Sequence, residues 1–196
     1  MSVEILTAFM AFAFVTSVTP GPNNLMLMNS GASFGIRKTV PHVLGIVVGF
    51  IFMLLLVGLG IMQIFQRFPV SYDILKILSI AYLLYLAFKI ATSNTTLEHN
   101  ATKTKPFSFI QAAMFQWINP KAWTMALTAL SIYATSSDLN TVLFVTLIFA
   151  VINLPAISLW VLLGQKMQRF LTSRKRLKAF NITMAMLLVM SLYPVI

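Results

Sequence analysis

Six apolar runs separated by polar gaps take up nearly the whole chain, over residues 5–28, 41–62, 74–91, 109–133, 142–163 and 177–195. Each is close to the roughly 20 apolar residues that cross the hydrocarbon core of a bilayer as a helix. The pattern predicts an all-α polytopic membrane protein with six transmembrane helices. Two runs are interrupted. The first contains Thr19-Pro20-Gly21-Pro22-Asn23-Asn24, and the fourth contains Asn119-Pro120-Lys121. The only long polar gap, residues 92–108, is rich in Thr, Asn and Lys, and it divides the chain into halves 1–91 and 109–196 of three spans each. Three is odd, so the second half is expected to insert upside down relative to the first. Each half then opens with a broken helix. A matched pair of Gly/Pro-interrupted spans is the sequence pointer to the binding site of a secondary transporter.

The charges give the arrangement a direction. The first gap carries Arg37 and Lys38. The third has Lys89 at its edge, then Glu98, Lys103 and Lys105. The fifth carries Lys166, Arg169, Arg174, Lys175, Arg176 and Lys178. The second gap has Arg67 and Asp73, with Lys76 just inside the next span, and the fourth has Asp138 alone. Lys and Arg hold short loops on the cytoplasmic side. Odd gaps are therefore expected to be cytoplasmic and both termini to face away from the cytoplasm. The first basic residue is Arg37, so the first run lacks the basic start of a signal peptide and reads as a retained span.

Composition sharpens this. Of 196 residues, 59% are hydrophobic and 9% are charged, with a mean hydropathy of +0.88. A soluble domain has roughly 25% charged residues, and so few charges cannot cover a surface in water. The net charge of +10 comes from residues in gaps between apolar runs. It therefore reads as a topology signal that can also touch anionic lipid, rather than a nucleic-acid surface. There is no cysteine, hence no disulfide and no thiolate metal site. Glu4, Asp73, Glu98 and Asp138 all lie at a terminus or in gaps, so no acid is placed deep in a span. No phosphate-binding glycine loop is present, nor a nucleophile–base–acid set. These absences argue against an enzyme and against a pump driven by its own ATP hydrolysis. No cofactor or metal is implied.

The candidate chemistry lies at the two breaks. Pro20 and Pro22 remove two backbone donors, Gly21 gives the chain room, and Asn23 and Asn24 supply polar groups that either satisfy freed carbonyls or face a solute. At the second break, Gln116, Asn119, Pro120 and Lys121 recur in the same style. A lysine at membrane depth costs roughly 2.5–3.5 kcal/mol unless it pairs, snorkels or lines a wet cavity. Counted from residue 109, Lys121 lies about twelve residues into its span, or ~18 Å, whereas a span starting nearer Gln116 would leave it interfacial; the deep reading is preferred. Its ammonium is then placed to meet a substrate carboxylate, with Asn119 and Gln116 adding hydrogen bonds. Asn153 and Pro155 form a third, weaker break for which helix packing is the expected role. Gly45 and Gly49 suit either close packing within the chain or a homodimer face. His42, beside Pro41, is expected at a membrane edge.

The segment Thr19-Pro20-Gly21-Pro22 resembles the first-span motif of the LysE/RhtB family of bacterial amino-acid exporters. Other stretches are similar too: Ser30-Gly31-Ala32-Ser33 followed by Gly35-Ile36-Arg37, the end of span three from Ala81 through Tyr82 and Tyr85 to Lys89, and Asn119-Pro120-Lys121-Ala122. The Pro-Gly-Pro-Asn-Asn run and Ala91-Thr92-Ser93 resemble the branch that exports cysteine and O-acetylserine. The resemblance implies a multi-pass protein of the bacterial inner membrane. It would export small amino acids or their derivatives, driven by an ion gradient. With no deep acid to neutralise a cationic side chain, the expected substrates are neutral. An ion channel or ion transporter on the same inverted scaffold is the alternative, and it would need rings of acids or carbonyls at a constriction. The expected partners are an amino acid and membrane lipid.

Overall fold

The computed structural model describes residues 2–61, 67–68, 70–93, 106–134, 136 and 138–192. Glu98, Lys103 and Lys105 of the long polar gap, and the last residues of the second and sixth predicted spans, lie outside the described residues.

Every described element is helical. Helix α1 (Val3–Val18) is capped by the Ser2 side chain, and α2 (Pro22–Phe34) starts with proline at its first position. Proline is pre-organised there, because the first N–H of a helix has no intrahelical partner to lose. Gly35, at φ 77°, lies in the left-handed region and turns the chain into α3 (Ile36–Leu56). That helix runs on into a wider turn, Val57–Ile61, with Gly60 at φ 107°. Then come α4 (Val70–Ala91) and α5 (Phe109–Phe115), the latter opened by a Ser108/Gln111 capping box. A tight turn, Gln116–Ile118, leads to α6 (Pro120–Thr128) and a wider turn, Ala129–Tyr133. The long α7 (Leu139–Gln168) starts on an Asp138 cap, and α8 (Arg174–Met190) on a Ser173 cap.

Three stretches are long and apolar enough to cross a membrane alone: Ile36–Gly60, Asp73–Ala91 and Leu139–Gln168. The pair α1 and α2 passes that test together, bent by 54°. The fourth predicted span is two short helices meeting at Asn119, and the sixth is a helix opened by Arg174, Lys175 and Arg176. Pro41, expected at the head of span two, lies within α3. Large apolar side chains such as Phe52, Ile77, Phe88, Leu147 and Val151 are exposed along the outer faces. That is the surface expected of helices solvated by lipid.

The main helix contacts link elements that lie on either side of the long polar gap. α3 packs on α5, α7 packs on α1 and α2, and α4 packs on α8. The long helix of each half thus covers the broken helix of the other, and the third helices pair. Glycines permit the closest crossings. A Cβ on Gly45 or Gly49 would strike the backbone of Phe109 or Ala113 in α5. One on Gly164 would strike the Met28 carbonyl of α2, and one on Gly31 the Val161 carbonyl of α7. The Gly45/Gly49 face is therefore used within the chain.

Candidate substrate site

The prolines at the first break leave backbone acceptors that must be satisfied. In an uninterrupted helix the N–H of residue 20 would bond the Thr16 carbonyl, and that of residue 22 the Val18 carbonyl. Proline offers neither. The Thr16 carbonyl instead accepts from the Thr19 hydroxyl at 3.0 Å, and the Val18 carbonyl from the Trp160 indole N–H of α7 at 3.0 Å. Asn24 donates from one amide nitrogen to the carbonyls of Ser17 and Thr19, both at 2.7 Å. Lys121 Nζ donates to the Thr19 carbonyl at 2.7 Å, the Thr19 hydroxyl at 2.9 Å and the Pro20 carbonyl at 3.3 Å. Every carbonyl from Thr16 to Pro20 thus accepts from a side chain. A buried polar backbone left without a partner in a medium without water would be costly.

The second break is built differently. Asn119 is 1% exposed, and its side-chain oxygen accepts from the Lys121 N–H at 3.2 Å, capping α6. Pro120 at the first helical position lacks the donor that would have met the Gln116 carbonyl, which accepts from the Asn119 N–H at 3.3 Å instead. Gln116 is fully buried. Its amide pairs reciprocally with that of Asn23: Asn23 donates to Gln116 at 2.8 Å and Gln116 donates back at 3.3 Å.

The two breaks meet in space. Lys121 reaches the end of α1, Gln116 holds Asn23 of α2, and Gly21 leaves room for the lysine stem, since a Cβ there would lie 2.6 Å from Lys121 Cδ. Gly21 is extended, at φ −177°, so it is needed for space and not for its backbone angle. The side chains of Asn23, Asn24, Gln116, Asn119 and Lys121 line one small cavity with Ile46, Phe50 and Met125. Pro20, Pro22 and Pro120 shape the backbone around it without lining it. Among the described residues no carboxylate lines the cavity, and no three His, Asp or Glu side chains gather. The space left is about 20 Å³, room for about one water. The breaks are therefore closed on each other in this conformation.

Sequence reasoning gave Asn153 a packing role, and here it reaches the cavity. Its amide nitrogen donates to the Ser17 hydroxyl at 2.9 Å, while its side-chain oxygen is buried without a partner among the described residues. The asparagine–proline pair in an apolar run was the available signal. Thr19 and Trp160 were missed, because only the fold shows which donors reach the freed carbonyls.

A model of the LysE type translocator family matches residues 14–191. The chain belongs to that family. It is similar to the cysteine/O-acetylserine efflux protein of Escherichia coli K12, at 31% identity over 191 residues covering 96% of each chain. The same protein of E. coli CFT073 is 32% identical over the same coverage. That of Shigella sonnei is 31% identical. No solved structure matches significantly. This LysE type translocator is accordingly a multi-pass transport protein of the bacterial inner membrane, and its chemistry is movement of solute across the bilayer.

Proposed function

We propose that the protein exports small neutral amino acids or derivatives such as cysteine and O-acetylserine from the cytoplasm, driven by an ion gradient. We propose further that the substrate binds where the two helix breaks meet. The observation that carries the site is the Lys121 ammonium of one half clasping the terminal carbonyls of α1 in the other. A substrate carboxylate would compete for that ammonium. It would also meet the start of α2, where the N–H groups of Asn23 and Asn24 precede the first intrahelical acceptor and the helix dipole favours negative charge. The free side-chain oxygen of Asn153 suits the substrate ammonium. With no carboxylate in the cavity, a cationic side chain would lack a counter-charge.

Loading requires the breaks to part, since the closed site holds about one water. Exchange of the Lys121 ammonium between α1 carbonyls and substrate carboxylate couples occupancy to that movement. The proposed scaffold has six crossings in two inverted halves, and the reciprocal covering of each broken helix by the other half's long helix supports it. Efflux of radiolabelled O-acetylserine, cysteine, threonine and leucine from preloaded cells tests the reading, with an uncoupler added to abolish the gradient. Wild-type efflux that Lys121→Ala and the double variant Asn23→Ala/Asn24→Ala both lose at matched abundance is expected. Wild-type rates in both variants would overturn the site. No efflux of any solute by the wild type would overturn the exporter.

A further inference from the structure

A second, larger cavity of about 380 Å³ opens beside α2, lined among others by Asn29, Ser30, His42, Lys89, Ser93 and Phe107. Its size falls within the roughly 300–1,000 Å³ of small-molecule sites. His42 was expected at a membrane edge, but it is 2% exposed, and neither ring nitrogen has a partner among the described residues. In either neutral tautomer one of those nitrogens is a donor and the other an acceptor, so a buried imidazole with neither satisfied points to a polar guest. The Phe107 and His42 ring centroids are 5.3 Å apart, with the planes tilted by 35°. The surrounding polar groups are held in place. Ser30 Oγ lies 3.0 Å from Thr39 Oγ1, Asn29 donates to Asn181 at 3.3 Å, and Asn181 donates to the Ser93 carbonyl at 3.2 Å. Lys89, at the end of α4, adds a cation, and among the described residues no carboxylate lines the wall.

We infer that this cavity is a loading site, where the carboxylate of a small zwitterionic amino acid rests on Lys89 and His42 before passing along α2 to the closed site between the breaks. The inference rests on the exporter reading for its direction, since the cavity lies beside the basic first and third gaps. Cation and imidazole N–H together select an anionic oxygen group. The oxygens of Asn29 and Ser30 accept the ammonium, and Met26 and Leu86 leave space for a short apolar or weakly polar side chain. Asn23 and Ser30 are seven residues apart on α2, two helical turns, so they share a face and lie about 10 Å apart along the axis. One helix face thus carries polar groups at both cavities. The cavity beside His42 has room for a small solute and the one between the breaks for about one water, the arrangement expected of a transporter ready to load from one side.

The absence of native cysteine makes the test direct. Ser93→Cys keeps the backbone carbonyl that Asn181 uses and puts a single thiol on the cavity wall. Lys38→Cys, exposed in the first gap and away from the cavity wall, is the control. In inverted membrane vesicles, O-acetylserine, serine and acetate are each tested for slowing maleimide labelling. The expected result is severalfold protection of Ser93→Cys by an amino acid, none of Lys38→Cys, and weaker protection by acetate. Lys89→Ala is expected to raise the KM for vesicle uptake about tenfold with kcat largely kept, the consequence of losing one charge-assisted contact, and Lys89→Arg to restore part of it. Uptake of an amino acid by the wild type with no protection by that same amino acid would overturn the loading site and leave the exporter standing. Protection without uptake would keep the site and overturn the exporter. Neither would overturn both.

Discussion

Lys121 Nζ lies 2.7 Å from the carbonyl oxygen of Thr19, joining residues 102 positions apart in sequence. A cation in the first turn of a helix sits at the wrong end of its own dipole. Lys121 occupies that position in α6, so its ammonium gains little locally. It is placed instead against the carbonyl end of α1, where the dipole is favourable and the Thr19 and Pro20 carbonyls, at the end of the helix, need donors. Hydrogen bonds to charged groups contribute about 1.5–3 kcal/mol each. Lys121→Met is therefore expected to lower the melting temperature of the purified protein and to cut efflux at least tenfold. Lys121→Arg is expected to recover stability more than transport, because its planar fork fixes a geometry that the flexible ammonium does not require. Melting in detergent beside efflux at matched abundance separates the two. Unchanged melting in Lys121→Met would mean that the bridge between the breaks contributes nothing.

Gly21 tests the same bridge from the opposite side. A Cβ at this position meets Lys121 Cδ at 2.6 Å and Nζ at 3.2 Å, while the extended backbone at φ −177° suits any residue. Gly21→Ala should therefore act only by displacing the lysine. It is expected to reduce transport in the wild-type background and to do little once Lys121→Ala is present. A double-mutant cycle checks this, with coupling of about 0.5–3 kcal/mol typical for residues in contact. Equal losses in both backgrounds would mean that Gly21 serves the backbone and not the lysine.

Much of this was legible in the sequence, and the reasons differ by residue. The helices follow from apolar run length, and both breaks from proline chemistry, so Pro20, Pro22 and Pro120 could be placed without a fold. Lys121 stood out because a lysine in an apolar run needs a partner. Which partner it takes was not legible. The acceptor is the backbone of Thr19 and Pro20, and carbonyls are present at every residue. Trp160 looked like any membrane tryptophan until its N–H was seen on the Val18 carbonyl. His42 carried no signal of burial, because Pro41 suggested a helix start, whereas α3 begins five residues earlier, at Ile36. The close crossing of Gly31 and Gly164 joins residues with no local pattern to link them.

Asp138 gives the fold a sensitivity to acid outside the membrane. Its carboxylate accepts from the Ser136 hydroxyl, the Thr141 hydroxyl at 2.7 Å and the Thr141 N–H at 3.0 Å, capping α7. These bonds favour the charged form, with that from Ser136 the largest, and hold its pKa down to about 2 from the usual 3.8. A carboxyl whose folded pKa lies below its unfolded value adds stability above the unfolded value and loses it as pH falls through the folded one. The contribution of this cap should therefore be complete above pH 3.8 and fade toward pH 2. Asp138→Asn is expected to remove that part of the acid dependence while keeping an N-cap oxygen. Melting curves down the acid range compare the two, and identical pH profiles would rule the cap out as their source. The group is fully exposed, so the effect should be small beside the whole acid transition.

The six-crossing topology can be decided with single thiols on the cysteine-free chain. Three stretches are long and apolar enough to cross, and the bent pair α1–α2 passes the same test together. The open questions are whether the broken pair α5–α6 crosses as one span, and whether the basic start of α8 precedes another. The packing argues that both cross. α3 lies on α5 as α7 lies on α1 and α2, and α4 pairs with α8. If the halves are related in this way, α5–α6 stands where α1–α2 stands and α8 where α4 stands. Equivalent elements in an odd-numbered repeat cross in opposite directions. A membrane-impermeant maleimide added outside intact cells should then label Val3→Cys, Arg67→Cys, Leu139→Cys and Ser191→Cys. It should reach Lys38→Cys, Thr92→Cys and Arg176→Cys only after permeabilisation. Finding Leu139→Cys on the same side as Thr92→Cys would mean that α5–α6 dips in and returns, leaving the halves unequal. Labelling of Ser191→Cys only after permeabilisation would place α8 along the cytoplasmic surface, where its arginines and lysines would face lipid headgroups instead of marking the start of a span.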